Sequence, residues 1–131
     1  EEAVTHNAEI LKTQFATEID FLRNARHYYQ YGKLLITHAG FDSTAENWQD
    51  TSNQDFLWIR EHYLQPNQTG LINIFGHTPT RNMHKIDDIW ISPCQSYIGI
   101  DGGCAYGGQL NALLISEQGE ILETFVEHSD K

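Results

Sequence analysis

Two short stretches place a histidine where it could do chemistry. LLITHAGF (34–41) and INIFGHTP (72–79) share one design: an apolar run, a His near its C-terminal end and a small residue beside the His. His38 is followed by Ala39 and Gly40, and His77 is preceded by Gly76. In α/β sheets ligands bind in crevices beyond the carboxyl ends of strands. Small neighbours leave room there for another group to approach an imidazole. A metal or a phosphate is the chemistry such a pair suits. A single strand-end His more often caps the strand and bonds a nearby carbonyl, and on spacing alone both readings stay open.

The elements that must carry these residues can be read from periodicity. From Asn7 to about Tyr31, Ile10, Leu11, Phe15, Ile19 and Leu22 fall on one helical stripe, and Gly32 reads as its stop. Residues 33–40 read as a short buried strand, followed by a polar loop rich in turn formers. QDFLWIREHYL (54–64) reads as a second helix closed by Pro66, and 70–80 as a second buried strand. DIWIS, SYIGIDGG, QLNALLIS and EILETFVE then read as strands joined by glycine-containing turns, with Gly119 in a tight hairpin. The order predicts a mixed α/β fold whose sheet needs cover on at least one face.

Bulk properties narrow the class. A chain of 131 residues suits one domain, residues 1–131, with a real core. No apolar run approaches the roughly 18–20 residues needed to cross a bilayer, so no membrane is expected. EEAVTHNAEI has no basic stretch followed by an apolar one, so no signal peptide is read there. The net charge of −10 argues against a general nucleic-acid or anionic-membrane binder, though not against one local cationic pocket. Cys94 and Cys104 are too few for a disulfide framework and read as free thiols in a reducing cytoplasm. Asn67-Gln68-Thr69 matches a glycosylation sequon, a tripeptide frequent by chance.

In the order THAGF, FLWIRE, FGHTP and IGIDGGCAYGG, residues of roughly 15–116 resemble the C-terminal half of bacterial calcineurin-like metallophosphoesterases. The serine/threonine protein phosphatases and their diadenosine tetraphosphatase relatives are the nearest in pattern. The resemblance implies an αββα sandwich, of which this chain would be the C-terminal half, with mixed sheets and flanking helices. It implies that His38 ligates one metal of a two-metal centre and His77 the other. It also implies that Arg60, in the family's W-x-R-E helix, holds the substrate phosphate. The metals would be manganese, with iron or zinc as alternatives. The substrate would be a phosphorylated protein or a dinucleoside polyphosphate. Asp101 to Leu110 match the family's DTGxxxGGxL, with Gly102 where the family usually has Thr.

The family's other motifs, Gly-Asp-x-His-Gly, Gly-Asp-x-Val-Asp-Arg-Gly and Gly-Asn-His-Asp/Glu, do not occur here. They supply most of the metal ligands and the first phosphate arginines, so the expected partner is the N-terminal half of the same domain. Alone, the 131-residue chain is expected to be inactive, because two neutral imidazoles hold a divalent pair poorly without a carboxylate. A sheet surface built to meet a missing partner favours self-association, so a homodimer is also expected among the partners. Two other readings stand beside the phosphatase: a non-catalytic binding module that keeps the fold, and a one-metal site using His38, His77 and Asp42 or Asp101. His6, His27, His62, His84 and His128 share no spacing or motif and are expected at the surface. Trp48, Trp58 and Trp90 read as core or cleft-wall residues, and Tyr106 as a residue that could border the cleft.

Overall fold

The structure, a computed structural model, describes the backbone of residues 2–130 and the side chains of 7–130; Glu1, Lys131 and the His6 side chain fall outside. Residues 7–31 do not form one helix. α1 (Glu2–Gln14) breaks at Phe15, and α2 runs from Ala16 to Arg23. The Thr13 hydroxyl donates to the carbonyls of Glu9 and Ile10, a competing bond of the kind that bends helices. Tyr28–Tyr31 then form a strand, β1, because three tyrosines in four residues suit a pleated surface better than a helix end. Gly32, at φ 54°, is not a helix stop but the first residue of the two-residue turn into β2 (Leu34–Thr37).

β3 (Ile72–Phe75), β4 (Trp90–Ile91) and β5 (Tyr97–Gly99) complete a five-stranded sheet in the order β1-β2-β3-β5-β4. Its centre is parallel, β2 beside β3 beside β5, while β1 and β4 join antiparallel at the two edges. β6 (Gln109–Ile115) and β7 (Ile121–His128) form a separate antiparallel hairpin. The protein is therefore mixed α/β with a mixed sheet and few helices, as the order of elements predicts.

Strand alternation sorts the core into two layers. On one face Leu35, Phe75 and Tyr97 pack with Phe41 and Phe56, and Trp48, Tyr63 and Trp90 close the cluster. On the other, Leu34, Ile74 and Ile98 meet Leu113, Ile115 and Ile121 of the hairpin. Each fully buried side chain of this kind contributes about 1.5–3 kcal/mol. The hairpin turn is locked down at its tip: Lys33 N–H donates to the Glu117 carbonyl, and a Cβ on Gly119 would run into Ile72. The second helix, α3 (Asn53–Trp58), is shorter than its sequence pattern. Ser52 caps it, accepting from Asp55 N–H at 3.0 Å and donating to the Asp55 carboxylate at 2.8 Å. After Trp58 the chain turns extended at Ile59 and left-handed at Glu61, so Arg60 lies in a connecting segment and not on a helix.

Candidate metal and phosphate site

Because β2, β3 and β5 run parallel, the residues just beyond their carboxyl ends gather on one edge of the sheet. His38 follows β2 directly, His77 lies two residues beyond β3, and Asp101 two residues beyond β5. Gly76 N–H donates to the His38 carbonyl at 2.8 Å and so joins the first two loops. The two imidazoles stand with ring centroids 5.1 Å apart, tilted by 57°. The Trp58 indole meets His77 edge-on at 5.4 Å, which makes it a wall of this site rather than part of the core.

His77 is held in an unusual backbone. Its φ is 63°, and Thr78 N–H donates to the Gly76 carbonyl across it at 2.7 Å, the pattern of the rare, strained γ-turn. A non-glycine residue in the left-handed region costs about 1–2 kcal/mol, and such costs concentrate at functional sites. The turn leaves Nε2 of His77 buried with no hydrogen-bond partner among the described residues. Burial, then the nearby Arg60 guanidinium and His38, hold His77 below the ordinary imidazole value, against an opposing pull from Asp101. These effects favour the neutral imidazole, the form that binds a metal.

Arg60 reaches this cluster from the segment after α3, which is tied to the His38 loop by Ala39 N–H donating to the Phe56 carbonyl at 3.0 Å. The guanidinium is exposed. The ion pairs found among the described residues are Lys12–Glu9 and Arg81–Asp87, so Glu61 does not neutralise Arg60. A cation left unpaired beside two imidazoles suits an anion, and the planar fork of arginine suits phosphate.

His38, His77 and Arg60 therefore come together, with Asp101 near enough to act on His77. The carboxylates considered for a one-metal site are otherwise engaged. Asp42 accepts from the backbone and hydroxyl of Thr44 at 2.9 and 2.6 Å, bonds that hold its carboxyl below the usual value. Asp101 accepts from Gly103 N–H at 2.9 Å. Among the described residues no three His, Cys, Asp or Glu side chains gather as a metal cage. The fit to a metal is consequently partial: the bare Nε2 of His77 and the adjacent His38 are suitable donors, and a bridging carboxylate is not among them.

Of the remaining histidines, His128 is exposed, His84 bonds the Asp88 carbonyl, and His27 is half-buried against Phe56. His62 is not at the surface. It is 3 % exposed, enclosed by Phe41, Tyr63, Phe75 and Tyr97, and bonded through Nε2 to Asn73 Oδ1 at 2.9 Å. The signal that could have found it is Asn73 itself, a polar residue in the middle of an apolar strand, which must have a partner once buried. Tyr106, on the glycine-rich segment, is exposed. No family model, curated protein or solved structure matches the chain.

Proposed function

We propose that this chain supplies one half of a phosphoester hydrolase of the calcineurin-like kind. His38 and His77 are ligands of its two-metal centre, and Arg60 holds the substrate phosphate. The observation that carries this reading is the unpaired Arg60 beside two imidazoles, one with a buried, unbonded Nε2, on one sheet edge. When bound, a divalent pair such as manganese, iron or zinc supplies a nucleophilic hydroxide and neutralises charge on the phosphoryl group. The chain's own residues orient it: Arg60 grips two phosphate oxygens, and His77 presents the bare Nε2 from its turn.

The bridging carboxylates come, in this reading, from an N-terminal half bearing the three missing motifs. The substrate is a phosphorylated protein or a dinucleoside polyphosphate. The work is done in the cytoplasm, where Cys94 and Cys104 stay reduced. The chain alone is inactive. With p-nitrophenyl phosphate and manganese, the 131-residue chain should release no nitrophenol above the metal blank. A clear rate abolished by His77→Ala would overturn its dependence on a second half. A second reading, a binding module that keeps the fold without catalysis, draws on the engagement of Asp42 and Asp101 in local turns. Phosphate binding that requires Arg60 but ignores manganese would favour it.

A further inference from the structure

Beneath the site lies a buried polar pair, His62 and Asn73. Asn73 is 0 % exposed, and its amide nitrogen donates to the Leu35 carbonyl at 2.9 Å and to Thr37 Oγ1 at 3.1 Å. Those two bonds fix the orientation of the amide, so its Oδ1 faces His62 as an acceptor and His62 Nε2 carries the proton. His62 Nδ1 is then a bare lone pair, buried with no partner among the described residues. The His62 imidazole also fills the space left by Gly40: a Cβ there would collide with the ring. Ser43 Oγ donates to the His62 carbonyl at 3.3 Å.

These contacts reach each segment that carries a site residue. Thr37 precedes His38, and Gly40 follows it by two. His62 follows Arg60 by two, across the left-handed Glu61. Asn73 sits on β3, whose end delivers His77 through Gly76. We propose that the His62–Asn73 pair, together with the Asn73–Thr37 bond that extends it, is the positioning element of the site, a short buried chain of hydrogen bonds that sets the mutual placement of His38, Arg60 and His77. The claim rests on the phosphoesterase reading only in calling those three residues a site. Burial lowers the His62 pKa to about 4, so the ring stays neutral and the bond is kept in its donor form across the physiological range. A polar pair in an otherwise aromatic layer gives direction that rings alone do not, since it admits one register between the two strands and the 62–64 turn.

The test uses the chain without metal or substrate, so an inactive protein leaves it intact. Nuclear Overhauser effects are read between the ring protons of His38 and His77 and between those of His77 and Trp58. His62→Gln keeps an N–H where Nε2 stands, and both effects should stay at wild-type strength. His62→Leu keeps bulk without the donor, and the His38–His77 effect should weaken at least about threefold, the consequence of a displacement of about 1 Å, a scale that also matters to catalysis. Thr37→Val preserves shape and cuts only the arm toward His38. It should weaken the His38–His77 effect and leave His77–Trp58 unchanged, and it decides the matter if His62→Leu does not fold. Wild-type intensities in a folded His62→Leu, or in Thr37→Val, would overturn the proposal.

Discussion

His62 and His77 show how two imidazoles in one small protein are given opposite tasks. One is sealed among rings and bonded to an amide; the other is held in a strained turn with a nitrogen left bare. The first has a consequence in acid. Its folded pKa of about 4 lies below the ordinary 6.5, so the unfolded chain takes up the proton first. The neutral ring's contribution to stability is complete above pH 6.5 and is lost as pH falls toward 4, where the loss levels off. The loss from this group amounts to roughly 3 kcal/mol. Urea unfolding at pH 7 and pH 4.5 should show a marked drop in midpoint, and His62→Gln should remove most of the difference. An equal drop in both proteins would contradict the assignment. That His38 and His77 meet at one edge of the sheet was legible because an apolar run, a His and a small neighbour recur twice with the same grammar. For His62 the sequence offers only half the signal: Asn73 in an apolar strand calls for a buried partner, but that partner lies eleven residues away and only the folded sheet identifies it.

At the scale of elements, the central strands and the Gly119 hairpin follow the sequence closely, since short apolar runs flanked by turn residues leave few alternatives. The helices do not. The stripe from Ile10 to Leu22 is real as a pattern, yet Thr13 breaks it, and the tyrosines beyond find a strand edge. The second helix stops at Trp58 because a short helix is marginal by itself and burying His62 outweighs continuing it. Among the described residues α2 buries none, and Leu11 of α1, Phe15 between the helices, and Phe21 and Leu22 of α2 are exposed, so nothing seen there ties these helices to the sheet. Removing residues 1–24 should therefore leave the unfolding midpoint of the remainder within experimental error. The amide spectrum of the sheet should also be unchanged. A truncation that unfolds the sheet would show that these helices pack on it in solution.

For the whole molecule, the question is what covers the apolar surface that remains. Tyr29, Tyr31 and Ile36 share the face of the main sheet on which the hairpin packs, and all three stay exposed. Leu110, Leu114 and Phe125 are exposed on the hairpin itself. In the absence of another half, such faces favour pairing between copies, and light scattering at rising concentration should show a mass above that of the 15.0 kDa monomer. A strictly monomeric mass would count against it. The most direct test is to join a segment bearing Gly-Asp-x-His-Gly, Gly-Asp-x-Val-Asp-Arg-Gly and Gly-Asn-His ahead of residue 1 and to measure manganese-dependent hydrolysis of p-nitrophenyl phosphate. Turnover is expected, and it should fall at least about a hundredfold in His77→Ala and in Arg60→Ala. A folded fusion that binds manganese without turnover, or one whose rate is indifferent to both substitutions, would contradict it.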